Sequence, residues 1–187
     1  MIIDRTIETP TRQQWRDWLS DNHATEKYVW LISSKEQPES YVDFVEEALC
    51  FGWVDSTRKR TDDGRSAQRY SPRSKKSNWT ELNKERVRRM ERLGLMTEAG
   101  RKALPDMRPE AFVVDEDIMA ELRRDEALYR HYEALPPLYV RIRIDNIQSV
   151  RGDAALFRSR LDKFIENTRE GKLYGQWHDD GRLLEDL

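Results

Sequence analysis

The stretch Trp53 to Ser71, WVDSTRKRTDDGRSAQRYS, decides the fold that the chain is predicted to adopt. Its middle, Asp62-Asp63-Gly64, has turn chemistry, because glycine supplies a positive φ angle and aspartate tolerates one. We therefore predict an antiparallel hairpin with strands at Trp53 to Thr61 and about Arg65 to Ser71. Pro72 ends the second strand, since proline has no backbone N–H to donate.

Upstream of this hairpin, the pattern predicts a helix, a strand and a second helix. Thr9-Pro10 predicts the start of the first helix, because a capping hydroxyl precedes a proline at the first helical position. The strand is Tyr28 to Ser33, YVWLIS, which is rich in aromatic and branched residues. Ser40 can cap the second helix, and Gly52 suits the position just after its end.

Downstream of the hairpin, the pattern is helical. One helix is predicted from near Asn78 to Leu93, and a short helix follows Thr97. Pro105 to Pro109 is predicted to be a linker before four further helices. The fold class is therefore α+β, with a small antiparallel sheet and hairpin packed by helices, followed by a C-terminal helical unit. We predict two regions, 1–104 and 105–187.

Composition predicts a folded protein of the cytoplasm. Apolar residues make up 37% of the 187 residues and the net charge is −2, but six Trp, seven Tyr and five Phe can still build a core. The single cysteine, Cys50, excludes an intramolecular disulfide and fits a reducing compartment. The longest apolar stretch, Ala48 to Val54, is too short for a bilayer, so no membrane association is expected.

Several segments together carry a family resemblance. They are Trp15–Leu19 with Asn22-His23, Val29–Leu31, Glu47–Ser56, Ser71–Arg73, Ser77–Thr80 with Asn83-Lys84, and Gly94–Met96. Their order and spacing resemble the YdeI/OmpD-associated family, also labelled bacteriocin-protection proteins, and the part with Leu135-Pro136-Pro137 and Gly171-Lys172 is similar to its helical end. The resemblance implies this fold in a bacterial cytoplasmic protein and a protection phenotype, without an assigned enzyme activity or catalytic set.

Basic charge is concentrated in one segment. Arg58 to Arg92 contains 13 Lys or Arg and 5 Asp or Glu, a balance of +8, whereas the rest of the chain has a balance of −10. Such asymmetry indicates an anionic partner. Nucleic acid is one candidate, but an overall pI of about 6.0 is low for a dedicated binder.

Within that segment, basic residues directly precede a predicted helix N-terminus, where backbone N–H groups lack internal acceptors. We predict an anionic or aromatic ligand there, with tryptophan and tyrosine faces for stacking. The predicted ligand-binding residues are Trp53, Asp55, Arg73, Lys75, Lys76, Ser77, Trp79 and Asn83, with Tyr70 nearby. The alternative interpretation is a solvated basic loop with Trp79 in the core.

Asp55 has two interpretations. It could be a general base or the polar end of a pocket, with Arg73 as a charge clamp. Alternatively, it is a structural partner of Arg73 or Arg58 that holds the hairpin to a helix. Asp55 is thus a weak catalytic candidate.

No metal or cofactor is predicted. His23, His131 and His178 are scattered, and none forms a metal-type pair with another histidine or with Cys50. Cys50 lies near a helix end between apolar neighbours, which favours a buried structural role. The sequence also lacks a glycine-rich phosphate loop and an HExxH motif.

Three hypotheses about function follow. The first is a non-catalytic binding or stress-protection protein with a small anionic or aromatic ligand. The second is an enzyme acting on a small anionic substrate through Asp55 and Arg73. The third is a nucleic-acid-associated protein that uses the basic Arg58–Arg92 surface.

Overall fold

A computed structural model describes residues 2–8, 10–34, 38–74 and 76–184. The chain forms two compact units: Met1–Asn78 with Arg86–Pro105, and Trp79–Glu85 with Asp106–Leu187. Strands and helices interleave up to β4 at Ser66–Pro72, and the described elements after it are helical, which confirms the α+β class with a helical C-terminal region. The division into an α+β region 1–104 and a helical region 105–187 stays a prediction. None of the described helices has the length and apolar character needed to cross a membrane.

The first unit is built on a four-stranded sheet. Its strands are β1 (Thr6–Glu8), β2 (Val29–Ser33), β3 (Trp53–Arg60) and β4 (Ser66–Pro72), in the order β1-β2-β4-β3. β2, β4 and β3 pair antiparallel as predicted. β1 pairs parallel with β2, so the sheet is mixed rather than purely antiparallel. A strand of three residues is too short to show the alternation that predicts strands, which explains why β1 was missed.

The predicted hairpin is confirmed. β3 and β4 pair antiparallel around a turn in which Gly64 has a φ of 83°, a left-handed conformation that glycine adopts without steric cost. The register shifts between Asp55 and Arg58. Such a bulge inserts an extra residue into one strand and so changes which side chains share a face of the sheet.

Four helices follow or flank these strands: α1 (Arg12–Asn22), α2 (Tyr41–Cys50), α3 (Glu81–Arg92) and α4 (Glu98–Lys102). The predicted cap of α2 is confirmed, because Ser40 and Asp43 form a capping box. The cap of α1 was predicted slightly too early in the sequence. Thr11, not Thr9-Pro10, caps α1 together with Gln14, and Thr9 lies outside the described residues.

Large aromatic side chains fill the core of the first unit. Trp15, Trp30, Trp53 and Tyr70 are each at most 1% exposed. The indole N–H of Trp15 donates to the Phe44 carbonyl at 3.0 Å. This hydrogen bond offsets the cost of removing the indole N–H of Trp15 from water.

Charged residues are also buried between α1 and α2. Glu46 and Glu47 are 0% and 2% exposed. Arg12 donates to Glu47 at 2.7 Å and lies 3.0 Å from Glu46, and Arg16 donates to Glu47 at 2.6 Å. Arg89 of α3 reaches Glu46 at 2.9 Å. These ion pairs compensate the carboxylates for the loss of water, so the network is part of the core.

The second unit is helical. It contains a single 3₁₀ turn (Pro109–Ala111) and the helices α5 (Glu116–Leu122), α6 (Glu126–Glu133), α7 (Pro137–Gln148) and α8 (Ala154–Arg169). Tyr139 of α7 and Phe164 of α8 are fully buried in its core. Beyond Gly175, Trp177 packs edge-on against Tyr139 at 5.4 Å. This aromatic contact docks the C-terminal segment.

Candidate functional site

The predicted anion site at the start of α3 is already filled by the protein. α3 begins at Glu81 rather than near Asn78, because the Thr80 hydroxyl accepts from the Asn83 amide at 3.2 Å and caps the helix. The amide of Glu81 donates to a carboxylate oxygen of Asp145 at 3.0 Å. An internal carboxylate therefore occupies the helix end that the sequence indicated for a ligand.

The basic loop before α3 contains Arg73, Lys76 and Ser77, while Lys75 lies outside the described residues. Nη1 of Arg73 donates to the Asn78 carbonyl at 3.0 Å, and burial lowers the pKa of Arg73 to about 10. The Ser77 hydroxyl accepts from the Ser74 amide at 3.1 Å, which closes a local turn. Lys76 is exposed. Arg73 and Ser77 therefore stabilise the loop itself.

The predicted tryptophans are not together. Trp53 is 1% exposed and its indole N–H donates to the His23 carbonyl at 3.1 Å, so a ligand has no access to its ring. Trp79 and Asn83 are half-buried residues of the second unit, whereas Trp53, Asp55 and Arg73 belong to the first. The eight predicted residues therefore do not form one constellation within a single unit.

Asp55 and Arg73 are close in space. The negative charge of Asp55 opposes the effect of burial on the pKa of Arg73, so the two groups lie within electrostatic range. The Asp55 carboxylate accepts a hydrogen bond from the Tyr41 hydroxyl at 2.5 Å and from the Gln68 amide at 3.4 Å. Asp55 thus ties the end of β3 to α2 and β4.

A cavity of about 210 Å³ lies beside this carboxylate, between α2 and the sheet. We call it the Tyr41 pocket. Its main lining residues are Tyr41, Phe44, Arg58, Ser66, Gln68 and Tyr70. Two of them, Tyr41 and Gln68, are the residues that hydrogen-bond to Asp55. The pocket combines aromatic walls with hydroxyl, amide and guanidinium groups, as small-molecule sites do.

Strand register explains why these residues meet. Leu31 of β2 pairs with Gln68 of β4, and Gln68 pairs with Arg58 of β3. Paired residues in adjacent strands point to the same face of a sheet. The bulge after Asp55 places Arg58, instead of Thr57, on the face that carries Asp55. Without the bulge, the arginine would point away from the pocket.

Arg58, Tyr41 and Tyr70 supply hydrogen-bond donors to the pocket at neutral pH, and Glu39 adds one carboxylate to its lining. Nε of Arg58 donates to the Ser66 hydroxyl at 2.8 Å, which orients the guanidinium. Burial of its hydroxyl end and the hydrogen bond to Asp55 raise the pKa of Tyr41. Burial also raises the pKa of Tyr70 well above its ordinary value. Both phenols stay protonated, so they can donate but cannot act as bases.

The pocket opens into a wider basic cleft. Ser33, Ser34, Arg58 and Ser66 line both cavities, and the cleft continues along Lys59, Arg60 and Arg65 at the hairpin tip. Arg65 is held by carboxylates of Glu8 and Asp63 at 2.9 and 2.7 Å. An anion that approaches the pocket therefore passes a positively charged rim.

Two family models match separate parts of the chain. A domain of unknown function (DUF8412) matches residues 7–103, which is more than half of the chain. The chain belongs to the DUF8412 family. A second model, described as bacteriocin-protection, YdeI or OmpD-associated, matches residues 111–171 and confirms the predicted resemblance over that segment. No curated protein and no solved structure matches the chain.

The segments that carry the family resemblance fall into two regions, and each region is matched by a different family model. Most of the segments that suggested it, from Trp15 to Asn83, lie in the DUF8412 region. The bacteriocin-protection match instead covers the helical part with Leu135-Pro136-Pro137 and Gly171. The Tyr41 pocket lies wholly within the DUF8412 region, because its lining residues fall between Leu31 and Tyr70.

Sequence reasoning missed Tyr41, Ser66 and Gln68 as site residues of the DUF8412 region. It considered Arg58 as a structural partner of Asp55 and as part of the basic Arg58–Arg92 surface. One signal was present: Ser66, Gln68 and Tyr70 alternate along β4 and therefore share one face. Nothing in the sequence indicated the bulge that adds Arg58 to them.

The surroundings of the Cys50 thiol fit the buried structural role that was predicted for it. Cys50 is fully buried, and burial together with the charge of Glu47 raises the pKa of the thiol to about 12. A thiol in this state is a poor nucleophile at neutral pH. In the described part of the DUF8412 protein, no three His, Cys, Asp or Glu residues cluster in a way that could hold a metal ion.

Proposed function

We propose that this protein is a non-catalytic binding protein for a small anionic ligand, which it takes into the Tyr41 pocket. The observation that carries the proposal is the placement of Arg58 by the β3 bulge on the same sheet face as Gln68, beside the cavity that Tyr41 of α2 also lines. Arginine is well suited to a carboxylate or phosphate, because its planar fork donates two parallel hydrogen bonds.

The size of the pocket supports a small ligand. Its volume of about 210 Å³ is below the range of about 300 to 1,000 Å³ of pockets for drug-sized molecules. Phe44 and Tyr70 offer apolar walls for an aromatic or aliphatic body, and Arg58 with the Ser66 hydroxyl faces the anionic group. The ligand class is therefore a compact acid with an apolar part.

The geometry favours binding over catalysis. Tyr41 and Gln68 both donate to one oxygen of the Asp55 carboxylate, and Asp55 is not among the residues that line the pocket. The raised pKa of Tyr41 keeps its hydroxyl protonated as the donor of this pair. This arrangement orients hydrogen-bond donors toward a ligand and leaves Glu39 as the one carboxylate among the described lining residues.

A nucleic-acid-binding surface has less support. Several cations of the Arg58–Arg92 segment are committed to internal carboxylates: Lys84 contacts Glu81 at 2.7 Å and Arg89 contacts Glu46 at 2.9 Å. Arg86 is 7% exposed. A flat, continuous basic face would require these side chains at the surface. A binding titration with DNA and RNA over a salt series tests this alternative.

The ligand proposal is tested by a thermal-shift screen of small carboxylates, aromatic acids and phosphate monoesters with the full chain. A ligand that binds the folded form raises the melting temperature. In Arg58→Gln, the shift caused by a ligand found in this screen should disappear. Arg69→Gln is the matched control, because Arg69 lies on the neighbouring strand and packs on the Tyr28 ring at 4.5 Å, outside the pocket. Equal shifts in both variants would overturn the proposal.

The family description of residues 111–171 names bacteriocin protection, and we carry that role to this chain as part of the proposal. Expression in a bacteriocin-sensitive bacterium should then increase survival under bacteriocin challenge. Arg58→Gln should reduce survival to the level of the empty vector if the pocket serves protection, and Arg69→Gln should not. Survival that is unchanged by expression of the wild-type chain would contradict the protective role.

A further inference from the structure

The second unit contains a group of cations that carboxylates do not neutralise. Elsewhere in this unit, Arg151 contacts two aspartates at 2.6 Å, and Arg158 contacts Glu121 at 2.9 Å. Among the described residues, Arg143, Arg160 and Lys163 have no ion pair with a carboxylate, and all three approach one tyrosine, Tyr174. Like charges repel, so a bound anion would stabilise this group of three cations.

Arg143 of α7 is held in place by aromatic rings and backbone. Its Cζ atom lies 5.2 Å from the ring centre of Tyr174 and 6.0 Å from that of Tyr139. A Cβ atom added to Gly175 would lie 2.7 Å from its Nη1, so the guanidinium packs directly against the chain there. The face of an aromatic ring attracts the positive charge of an arginine, and packing against the ring limits the rotamers of the arginine side chain.

These contacts leave the donors of Arg143 unused. Its Nε atom is buried and, in the part of the chain that the structure describes, has no hydrogen-bond partner. A guanidinium has five N–H donors in a fixed fork, and contacts with ring faces use none of them for a conventional hydrogen bond. Arg143 is therefore an oriented donor group that is prepared for an external acceptor.

Two residues of α8 add to this group. The Nζ atom of Lys163 lies 5.0 Å from the ring centre of Tyr174. Nη1 of Arg160 donates to the Asn146 carbonyl at 2.6 Å, which fixes the position of that guanidinium. Burial raises the pKa of Tyr174, and the charges of Arg143 and Arg160 oppose that rise, so both guanidinium groups act electrostatically on the phenol.

We propose that Arg143, Arg160, Lys163 and the hydroxyl of Tyr174 form a binding site for a soluble small molecule that carries a phosphate group. A phosphate dianion offsets several positive charges at once and accepts the paired hydrogen bonds of an arginine fork. The protonated Tyr174 hydroxyl supplies a further donor. This site lies in the second unit and is independent of the Tyr41 pocket in the first.

The test uses inorganic phosphate and the full chain labelled with ¹³C in its tyrosine rings. The signals of Tyr174, assigned through Tyr174→Phe, should shift with added phosphate and saturate. Arg143→Gln should weaken phosphate binding at least about ten-fold, as expected for loss of a charged hydrogen-bonding pair. Arg158→Gln is the matched control on α8, because Arg158 is paired with Glu121 and Asp162, and it should change the affinity less than about two-fold.

The controls separate this proposal from the proposed function. Arg58→Gln should leave the phosphate titration of Tyr174 unchanged, since Arg58 belongs to the other unit. If Arg143→Gln loses the spectrum of a folded protein, Lys163→Gln replaces it, because Lys163 is exposed and its removal leaves the core intact. That variant should also weaken phosphate binding.

Three results would overturn the proposal. They are Tyr174 signals that do not respond to phosphate, equal responses in Arg143→Gln and Arg158→Gln, and binding to phosphatidic acid vesicles without binding to inorganic phosphate. The last result would identify a membrane surface in place of a soluble molecule. Higher affinity for phenyl phosphate than for inorganic phosphate would support the site, because the ligand ring can pack beside Tyr174.

Discussion

Arg12 on α1 and Arg143 on α7 are both half-buried, but their surroundings differ. Arg12 contacts carboxylates of Asp43, Glu46 and Glu47 at 2.7 to 3.0 Å. Arg143 contacts the rings of Tyr139 and Tyr174, and no described carboxylate pairs with it. An arginine whose donors are filled by the protein stabilises the fold, whereas one held by rings keeps its donors for a ligand. The comparison thus distinguishes structural from ligand-binding arginines.

The largest expected effect comes from breaking the α1–α2 network at Glu47. Glu47→Gln removes the charge that accepts from Arg12 at 2.7 Å and Arg16 at 2.6 Å. Arg12 keeps its contacts with Asp43 and Glu46, but half-buried Arg16 loses its carboxylate partner, so the free energy of unfolding should fall by about 3 kcal/mol. Urea unfolding monitored by tryptophan fluorescence measures this. A loss below about 1 kcal/mol would show that the network is not structural.

The second prediction concerns the neutral thiol beside that network. Burial raises the pKa of Cys50 from 9.0 to about 12. As the pH rises above 9, the unfolded chain ionises its thiol while the folded chain does not, so stability falls. This group alone should cost about 1 kcal/mol at pH 10. Urea unfolding at pH 8 and pH 10 should show a larger loss in wild type than in Cys50→Ala.

Tyrosines with raised pKa values also lower stability at alkaline pH, but they are present in both chains and cancel in this difference. Parallel pH dependence in wild type and Cys50→Ala would contradict a neutral buried thiol in the folded state.

The third prediction concerns Arg143, the arginine that is held by aromatic rings. Arg143→Gln removes cation–π contacts, and each of these contributes about 0.5 to 1 kcal/mol at an exposed site. The free energy of unfolding without phosphate should therefore fall by about 1 kcal/mol or less, well below the effect of Glu47→Gln. Urea unfolding in buffer without phosphate or sulfate is the measurement. A loss as large as that of Glu47→Gln would make Arg143 a structural residue and remove the contrast.

The smallest effect is expected at an exposed ion pair. Glu98 and Lys102 lie 2.7 Å apart on α4, and both side chains are exposed to solvent. Water and salt screen such a pair, so Glu98→Gln should leave the melting temperature within experimental error. A clear loss would show that ion pairs in this protein contribute to stability regardless of burial.

Local chemistry in the sequence predicted much of the fold. The Asp62-Asp63-Gly64 turn, the Ser40 cap and the glycine after α2 were identified because each depends on residues a few positions apart. β1 was missed because its three residues are stabilised by pairing with β2, which is distant in sequence. The start of α3 was misplaced because Asn78 resembles a cap, whereas Thr80 is the residue that accepts from the helix.

The candidate site was less predictable than the fold. Asp55 and its closeness to Arg73 were anticipated, yet the cavity is lined by Tyr41, Arg58 and Gln68. These residues come from α2, β3 and β4, so their meeting depends on strand register. The register in turn depends on a bulge that leaves no sequence signature of its own.

The sequence by itself determined the α+β class, the hairpin, most helix ends and the family resemblance, because these follow from periodicity, turn residues and caps that act over short distances. Tertiary structure alone decided which charges are neutralised. Asp145 reaches the Glu81 amide across more than sixty positions, and Arg143 meets Tyr174 across about thirty. Electrostatic pairing depends on distance in space, and the order of residues along the chain does not reveal that distance.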